Sequence, residues 1–272
     1  MDLANDEERQ SGGIQSLDAA LHVLTTIASV YEPVTLSDLA RTCAMPPSKI
    51  HRYLSSFLKA GLIQQTGRSG RYFLGPAALQ LGLAAIGRHD FVNSGADGLD
   101  ELSAETDMTA LLCVWGSAGA TVVRWERAPA PTVTSLGLGT TLPLLTSATG
   151  HAFLAWAPPA MVEAACETEL RRLKKSPTFT ADFDFSREGV RQLIAKTKAQ
   201  GYASVDGRFI PGLVAIAAPI LDWQHQAQAV VTLIGTDPAS INPDAPEVTQ
   251  LVTFCNERSV LEPKVRSTLR IC

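Results

Sequence analysis

Between Thr35 and Gly61 the sequence TLSDLARTCAMPPSKIHRYLSSFLKAG has room for two short helices and a tight turn, and for little else. Thr35-Leu36-Ser37-Asp38 has the capping-box form, in which the threonine side chain and the acid three residues on satisfy each other's orphan backbone donors. The helix opened there is expected to stop near Ala44-Met45-Pro46. Pro47 suits the first position of a second helix, because the N–H it lacks has no intrahelical partner there. Along PSKIHRYLSSFLKAG the apolar residues Ile50, Leu54, Phe57 and Leu58 fall on one stripe, and Ser48, Lys49, His51, Arg52, Ser55 and Lys59 occupy the rest, with Gly61 as terminator. Upstream, Ser16 stands as the cap of a packing helix whose Leu17, Leu21, Leu24, Ile27 and Val30 follow helical spacing, with Asp18 facing the positive end of the dipole. Downstream, LIQQTGRSGRYFLG reads as a hairpin, with Ile63 and Gln65 on one side, Tyr72 and Leu74 on the other, and Gly67-Arg68-Ser69-Gly70 at its tip.

An amphipathic helix with a basic, hydroxyl-rich first half, joined by a tight turn to another helix, is what reading a DNA major groove requires. Ser48, Lys49, His51 and Arg52 are the candidates for base or backbone contact, and Arg68 and Arg71 in the wing are placed for phosphate or the minor groove. Each feature alone is more often plain packing. Their order within one short stretch points to double-stranded DNA as the partner. Charge agrees: residues 14–75 carry six cations (Arg41, Lys49, Arg52, Lys59, Arg68, Arg71) against Asp18, Glu32 and Asp38, although the chain as a whole carries −4. A small basic module is therefore joined to a larger acidic one.

A chain of 272 residues suggests two domains at roughly 150 residues each. The expected division is an acidic, disordered tail over 1–13, a winged helix-turn-helix over 14–75, a linker helix over 76–92 and an effector-binding and oligomerisation domain over 93–272. The acidic start MDLANDEERQSGG is unlike a secretion signal, and no apolar run reaches the ~20 residues of a membrane span, so a cytoplasmic protein is expected. The five cysteines are far apart and form no Cys-x-x-Cys pair, so reduced thiols are expected and neither cofactor nor metal.

In the second half, TALLCVW, ATVVRWER, VAIAAPIL and AQAVVTLIG read as strands, and TGHAFLAW, SREGVRQLIAKTKAQG and PEVTQLVTFCNERSV as helices. Strands joined by short turns indicate an antiparallel α+β domain. Ser147-Ala148-Thr149-Gly150 precedes a helix, where backbone amides can meet a carboxylate; Thr149 as a simple cap is the other reading.

The segments SLDAALHVLTTIA, LSDLARTCAMPPSKIHRYLSSFLKAGLI, RYFLGPAALQLG, LGTTLPLLTSATGHAFLAW and GYASVDGRFIPGLVAIAAPI together resemble the IclR family of bacterial regulators over nearly the whole chain. The resemblance implies an α+β chain with a winged helix-turn-helix, a linker helix and a GAF-like antiparallel-sheet effector domain, assembled as a dimer or a dimer of dimers and responding to a small organic acid. It also implies effector-binding positions at Leu142, Leu144, Ala148, Thr149, Gly150, Asp206, Arg208, Ala215, Ile216 and Thr232. Family members commonly have an acid where Arg208 stands, so that arginine either pairs with a carboxylate ligand or points to solvent. Ala215 stands where the family often has cysteine, and Thr232 and Ile234 where it has serines. A more apolar pocket follows, suited to an aromatic or partly apolar carboxylate.

The expected function is a ligand-responsive transcriptional regulator, not an enzyme. One alternative is a DNA-binding protein whose C-terminal domain only oligomerises. Another is a hydrolase built on Ser147, His151 and Asp206, against which stands the lack of a Gly-x-Ser-x-Gly elbow.

Overall fold

The computed structural model describes residues 13–30, 32–66, 70–86, 89–128, 136–175, 184–207 and 210–260. Two compact units divide between His89 and Asp90. The acidic tail up to residue 12 lies outside the described residues.

The first unit contains α1 (Gln15–Ala28), β1 (Val34–Thr35), α2 (Leu36–Thr42), α3 (Pro47–Lys59), β2 (Ile63–Thr66), β3 (Arg71–Leu74) and α4 (Pro76–Ile86). The capping box forms as the sequence requires: Thr35 Oγ1 accepts the Asp38 amide at 3.2 Å, while the Asp38 carboxylate accepts the Thr35 amide at 3.4 Å and its hydroxyl at 2.6 Å. That bonding holds the Asp38 carboxyl below the usual range, with Arg41 adding charge stabilisation. α2 ends in a left-handed Ala44 (φ 50°), with the Met45 amide on the Ala40 carbonyl, and Pro47 opens α3 directly afterwards. Gly61 (φ 70°) turns the chain out of α3. The hairpin pairs Ile63 with Leu74 and Gln65 with Tyr72, and β1 completes a three-stranded antiparallel sheet in the order β1-β3-β2. The short strand β1 was not evident in the sequence.

Two expectations for this unit are corrected. Ser16 is not a cap: α1 starts after Ile14, with no side-chain cap bond, and Ser16 lies inside it. The buried residues of α1 are Ala20, Val23 and Ile27; of the expected stripe Ile27 is buried and Leu24 and Val30 pack against the core, while Leu17 and Leu21 are about half exposed. Both stripes have helical spacing, and α2, α3 and β3 cover the one that carries the smaller Ala20. On α3, Ile50, Leu54 and Phe57 are buried and Leu58 is exposed.

The second unit is a six-stranded antiparallel sheet in the order β6-β5-β4-β9-β8-β7, with helices on both faces. Its elements are α5 (Phe91–Ala96), α6 (Leu99–Thr106), β4 (Thr109–Gly116), β5 (Gly119–Glu126), β6 (Thr141–Leu142), α7 (Ala148–Trp156), α8 (Pro159–Lys175), α9 (Arg187–Gln200), β7 (Ala203–Asp206), β8 (Val214–Leu221), β9 (Ala227–Gly235), a 3-10 turn (Pro238–Ile241) and α10 (Pro246–Glu257). The expected linker helix does not run on through Phe91. Asp90 accepts the Val92 and Asn93 amides and starts a separate helix, and a left-handed Gly98 separates α5 from α6. The helix α8 and the strands β6 and β7 are additions to the sequence reading.

Both faces of the sheet are buried, which is why its strands read as nearly continuous apolar runs. Leu111, Cys113, Ala217 and Val230 pack toward α7 and α8 in one cluster with Phe153 and Leu170. Leu112, Ile216, Ala218, Val231 and Leu233 pack in the other with Leu102, Leu251 and Phe254 of α6 and α10. Among the described residues no helix is long and apolar enough to cross a membrane.

If the Thr35 cap holds α2 in place, Thr35→Ala should lower stability by about 1 kcal/mol, the usual worth of such a cap, in urea unfolding of the full chain. Ser16→Ala should change it by no more than a few tenths of that, since Ser16 caps nothing.

Candidate functional site

On α3 the four candidate contact residues form a continuous outer surface. Ser48, Lys49, His51 and Arg52 are all exposed, and the same helix buries Ile50, Leu54 and Phe57 behind them. Packing thus fixes the helix from one side and leaves the other for a partner. No acid occupies the first turn and no side chain caps it, so its positive end faces solvent unopposed. Lys49 Nζ lies 5.9 Å from the Tyr53 ring centroid, one turn on, which limits the swing of that cation. In the wing Arg71 is exposed, and its Nη1 donates to the Pro33 carbonyl at 3.1 Å. One of its five donors is thereby committed to the residue before β1, which orients the remainder. Arg68 lies outside the described residues.

In the second unit a cavity opens between the N-terminal end of α7 and the sheet. Leu136, Leu142, Ala148, Val205, Ile210, Leu213, Ala215 and Ile234 supply apolar wall, and Ser147, Thr149 and Thr232 supply hydroxyls. Its volume is about 30 Å³. Thr149 Oγ1 and Thr232 Oγ1 are 2.7 Å apart, joining α7 to β9. Beside them the thiol of Cys113 is pushed up to about 12 by burial, against a hydrogen bond from Thr149 that favours the thiolate, so it is a neutral packing group. No charged side chain lines the cavity among the described residues. An anion here would rest on the amides at the start of α7 and on the hydroxyls.

Of the residues expected around an effector, Leu142, Ala148, Thr149, Ala215 and Thr232 meet at this cavity. Leu144, Gly150, Asp206 and Ile216 are not among its lining residues. Ile216 belongs to the opposite face of the sheet, as strand alternation demands once Ala215 faces inward. Leu144 is buried in the core beneath the turn. Gly150 is a packing residue: a Cβ there would lie 2.3 Å from the Pro143 carbonyl oxygen and 2.4 Å from that of Leu144. Asp206 is exposed at the end of β7, and Arg208 lies outside the described residues. Ser147, Leu136, Val205, Ile210, Leu213 and Ile234 complete the lining beyond the expected set. Period-two spacing from Ala215 and Thr232 points to Leu213 and Ile234, whereas Leu136 and Ile210 come from loops with no such signal.

Ser147, His151 and Asp206 do not assemble into a relay. Ser147 Oγ donates to the Pro143 carbonyl at 2.5 Å, and the His151 Nε2 bonds to the Leu145 carbonyl at 3.0 Å. Thr149 is not the cap of α7; Ser147 is, its Oγ accepting the Gly150 amide at 3.0 Å.

Comparison with known proteins matches residues 16–67 to a family model described as "IclR helix-turn-helix domain" and residues 83–257 to one described as "Bacterial transcriptional regulator IclR C-terminal". The HTH-type transcriptional regulator XynR of Escherichia coli (strain K12) is 25% identical over 81% of this chain and 84% of its own length. The glycerol operon regulatory protein of Streptomyces griseus is 28% identical over 88% of this chain and 91% of its own. Among solved structures, Pseudomonas aeruginosa HmgR superposes with a TM-score of 0.78 at 33% identity, covering 90% of this chain and 97% of that one.

Two substitutions test the DNA face. Arg52→Ala should weaken binding to a specific site by roughly tenfold or more, the scale of one lost base contact. Arg71→Ala should weaken binding to all sequences alike and flatten the logarithmic salt dependence by about one unit, the signature of one lost phosphate contact. Anisotropy titrations across salt measure both.

Proposed function

The chain belongs to the IclR family of bacterial transcriptional regulators, and from that premise we propose that it senses an aromatic or otherwise partly apolar carboxylate. It is a DNA-binding transcriptional regulator and not an enzyme. The observation that carries the effector reading is the cavity at the start of α7, with apolar walls on most sides and the Ser147, Thr149 and Thr232 hydroxyls beside the first turn of the helix at one end. Such a site offers burial to a ring or branched chain and hydrogen bonds to a carboxylate.

The size of the cavity adds a mechanism. About 30 Å³ suits a water molecule or two. In the proposed mechanism a ring-sized ligand, larger than that space, binds a form with the walls further apart better than the form described. That difference in affinity is what lets a ligand shift a conformational equilibrium. Relatives named for the glycerol and acetate operons support control of an operon for a small carbon compound.

We further propose a homodimer, or a dimer of dimers, presenting two α3 helices to an inverted repeat. Its support is apolar surface in the first unit: Ile14, Leu17 and Leu21 on and before α1, and Leu79, Leu81 and Leu83 on α4, are each 46% exposed or more. Six large apolar side chains left in water favour a covering partner, and a second copy supplies the same surface. Sedimentation velocity should return a dimer or tetramer; a monomer at micromolar concentration would remove this element.

Anisotropy binding to DNA from upstream of the protein's own gene, repeated with a panel of aromatic and aliphatic carboxylates, tests the sensor. A change in affinity with an aromatic or branched acid is expected. Response to the smallest aliphatic acids alone would refute the ligand class, and specific binding indifferent to every acid would favour a C-terminal domain that only oligomerises.

A further inference from the structure

The turn that leads into α7 is held from outside the cavity by one carboxylate. Glu169, on α8, accepts the Leu144 amide at 2.7 Å on Oε2. Its other oxygen, Oε1, is buried without a hydrogen-bond partner, and the nearest cation, Arg172, is 3.8 Å away. Other tethers close the same segment. Ser147 Oγ bridges the Pro143 carbonyl and the Gly150 amide, and His151 reaches back to the Leu145 carbonyl. A carbonyl only accepts, so the imidazole donates from Nε2. The contact of Gly150 with the Pro143 and Leu144 carbonyls leaves the turn no slack. Displacing Leu144 must therefore displace Ser147 and Ala148, which face the cavity.

We propose that Glu169 is a positioning residue of the effector site: by holding the Leu144 amide it sets how Ser147, Ala148 and Thr149 meet a ligand that Glu169 itself does not touch. The inference rests on the effector reading for its consequence. Its test uses no ligand, so failure of the one is distinguishable from failure of the other.

The electrostatics give the device a sign. Burial pushes the Glu169 carboxyl above its ordinary range, opposed by the Leu144 and Leu145 amides and by Arg172. Cys166 and Glu167 are the neighbouring titratable groups on α8, Glu167 being paired with Arg187 of α9, and His151 faces the turn from α7. A group that holds its proton more tightly when the turn is closed than when it is solvated stabilises the closed turn on protonation. Protection of the turn is thus greatest below the ordinary carboxylate range and declines as pH rises through the raised one.

Hydrogen exchange of the full chain, corrected for intrinsic rates and followed from about pH 5 to about pH 8, compares wild type with Glu169→Ala and Glu169→Gln. Glu169→Ala should speed exchange in peptides covering 141–150 by roughly tenfold, the loss of the acceptor for the Leu144 amide, and leave β4 and β9 unchanged. Glu169→Gln keeps an acceptor without a charge, so its turn should stay protected and flat with pH while wild type loosens as pH rises. The proposal is overturned by a Glu169→Ala turn as protected as wild type, by loosening spread equally to β4 and β9, or by wild-type and Glu169→Gln profiles that superimpose.

Discussion

Successive side chains of β8 and β9 point to opposite faces of the sheet, and in this chain both faces are covered. Each residue's parity therefore assigns it either to the cluster with α6 and α10 or to the side that faces α7. Ala215 and Thr232 reach the cavity, while Ile216 and Leu233 anchor the other face, where each fully buried side chain contributes on the order of 1.5–3 kcal/mol. The sheet is thus a fixed floor. The roof of the site is the start of α7 and the turn before it.

That roof is organised by polar groups that burial obliges to find partners. The Ser147 hydroxyl bridges the Pro143 carbonyl and the Gly150 amide, the Thr149 and Thr232 hydroxyls satisfy each other across helix and strand, and Glu169 takes the Leu144 amide. A ligand that competed for the Ser147 hydroxyl or for the Gly150 amide would disturb bonds that also hold the turn. Under the proposed function, recognition and conformational response would be one event, as a sensor coupled to DNA affinity needs.

The first unit solves a simpler problem with shorter means. Capping by Thr35 and Asp38, a left-handed Ala44 and a proline start for α3 set two helices at a tight turn, and the apolar stripe of α3 clamps it onto the core. The outer surface of α3 is then rigid without using Ser48, Lys49, His51 or Arg52 for packing. Rigid presentation of exposed polar side chains suits a partner that is itself stiff, such as duplex DNA.

Local chemistry was legible in the sequence because it acts over a few residues: the capping box at Thr35, the proline at the start of α3, the hairpin, the apolar runs of β4, β5, β8 and β9, and the motifs that carry the family. Tertiary structure decided the rest. Helical spacing on α1 allowed both the Leu17-Leu21 stripe and the Ala20-Val23-Ile27 stripe, and only the packing of α2, α3 and β3 selected the second. Strand spacing allowed Ala215 or Ile216 to face the α7 side of the sheet, and only the placement of α7 chose between them. Glu169, an acid on an amphipathic helix, gave no sign that it would reach across to the Leu144 amide 25 residues away. Periodicity establishes that an element has faces; which neighbour covers each face is a long-range contact, and that is settled only when the whole chain closes on itself.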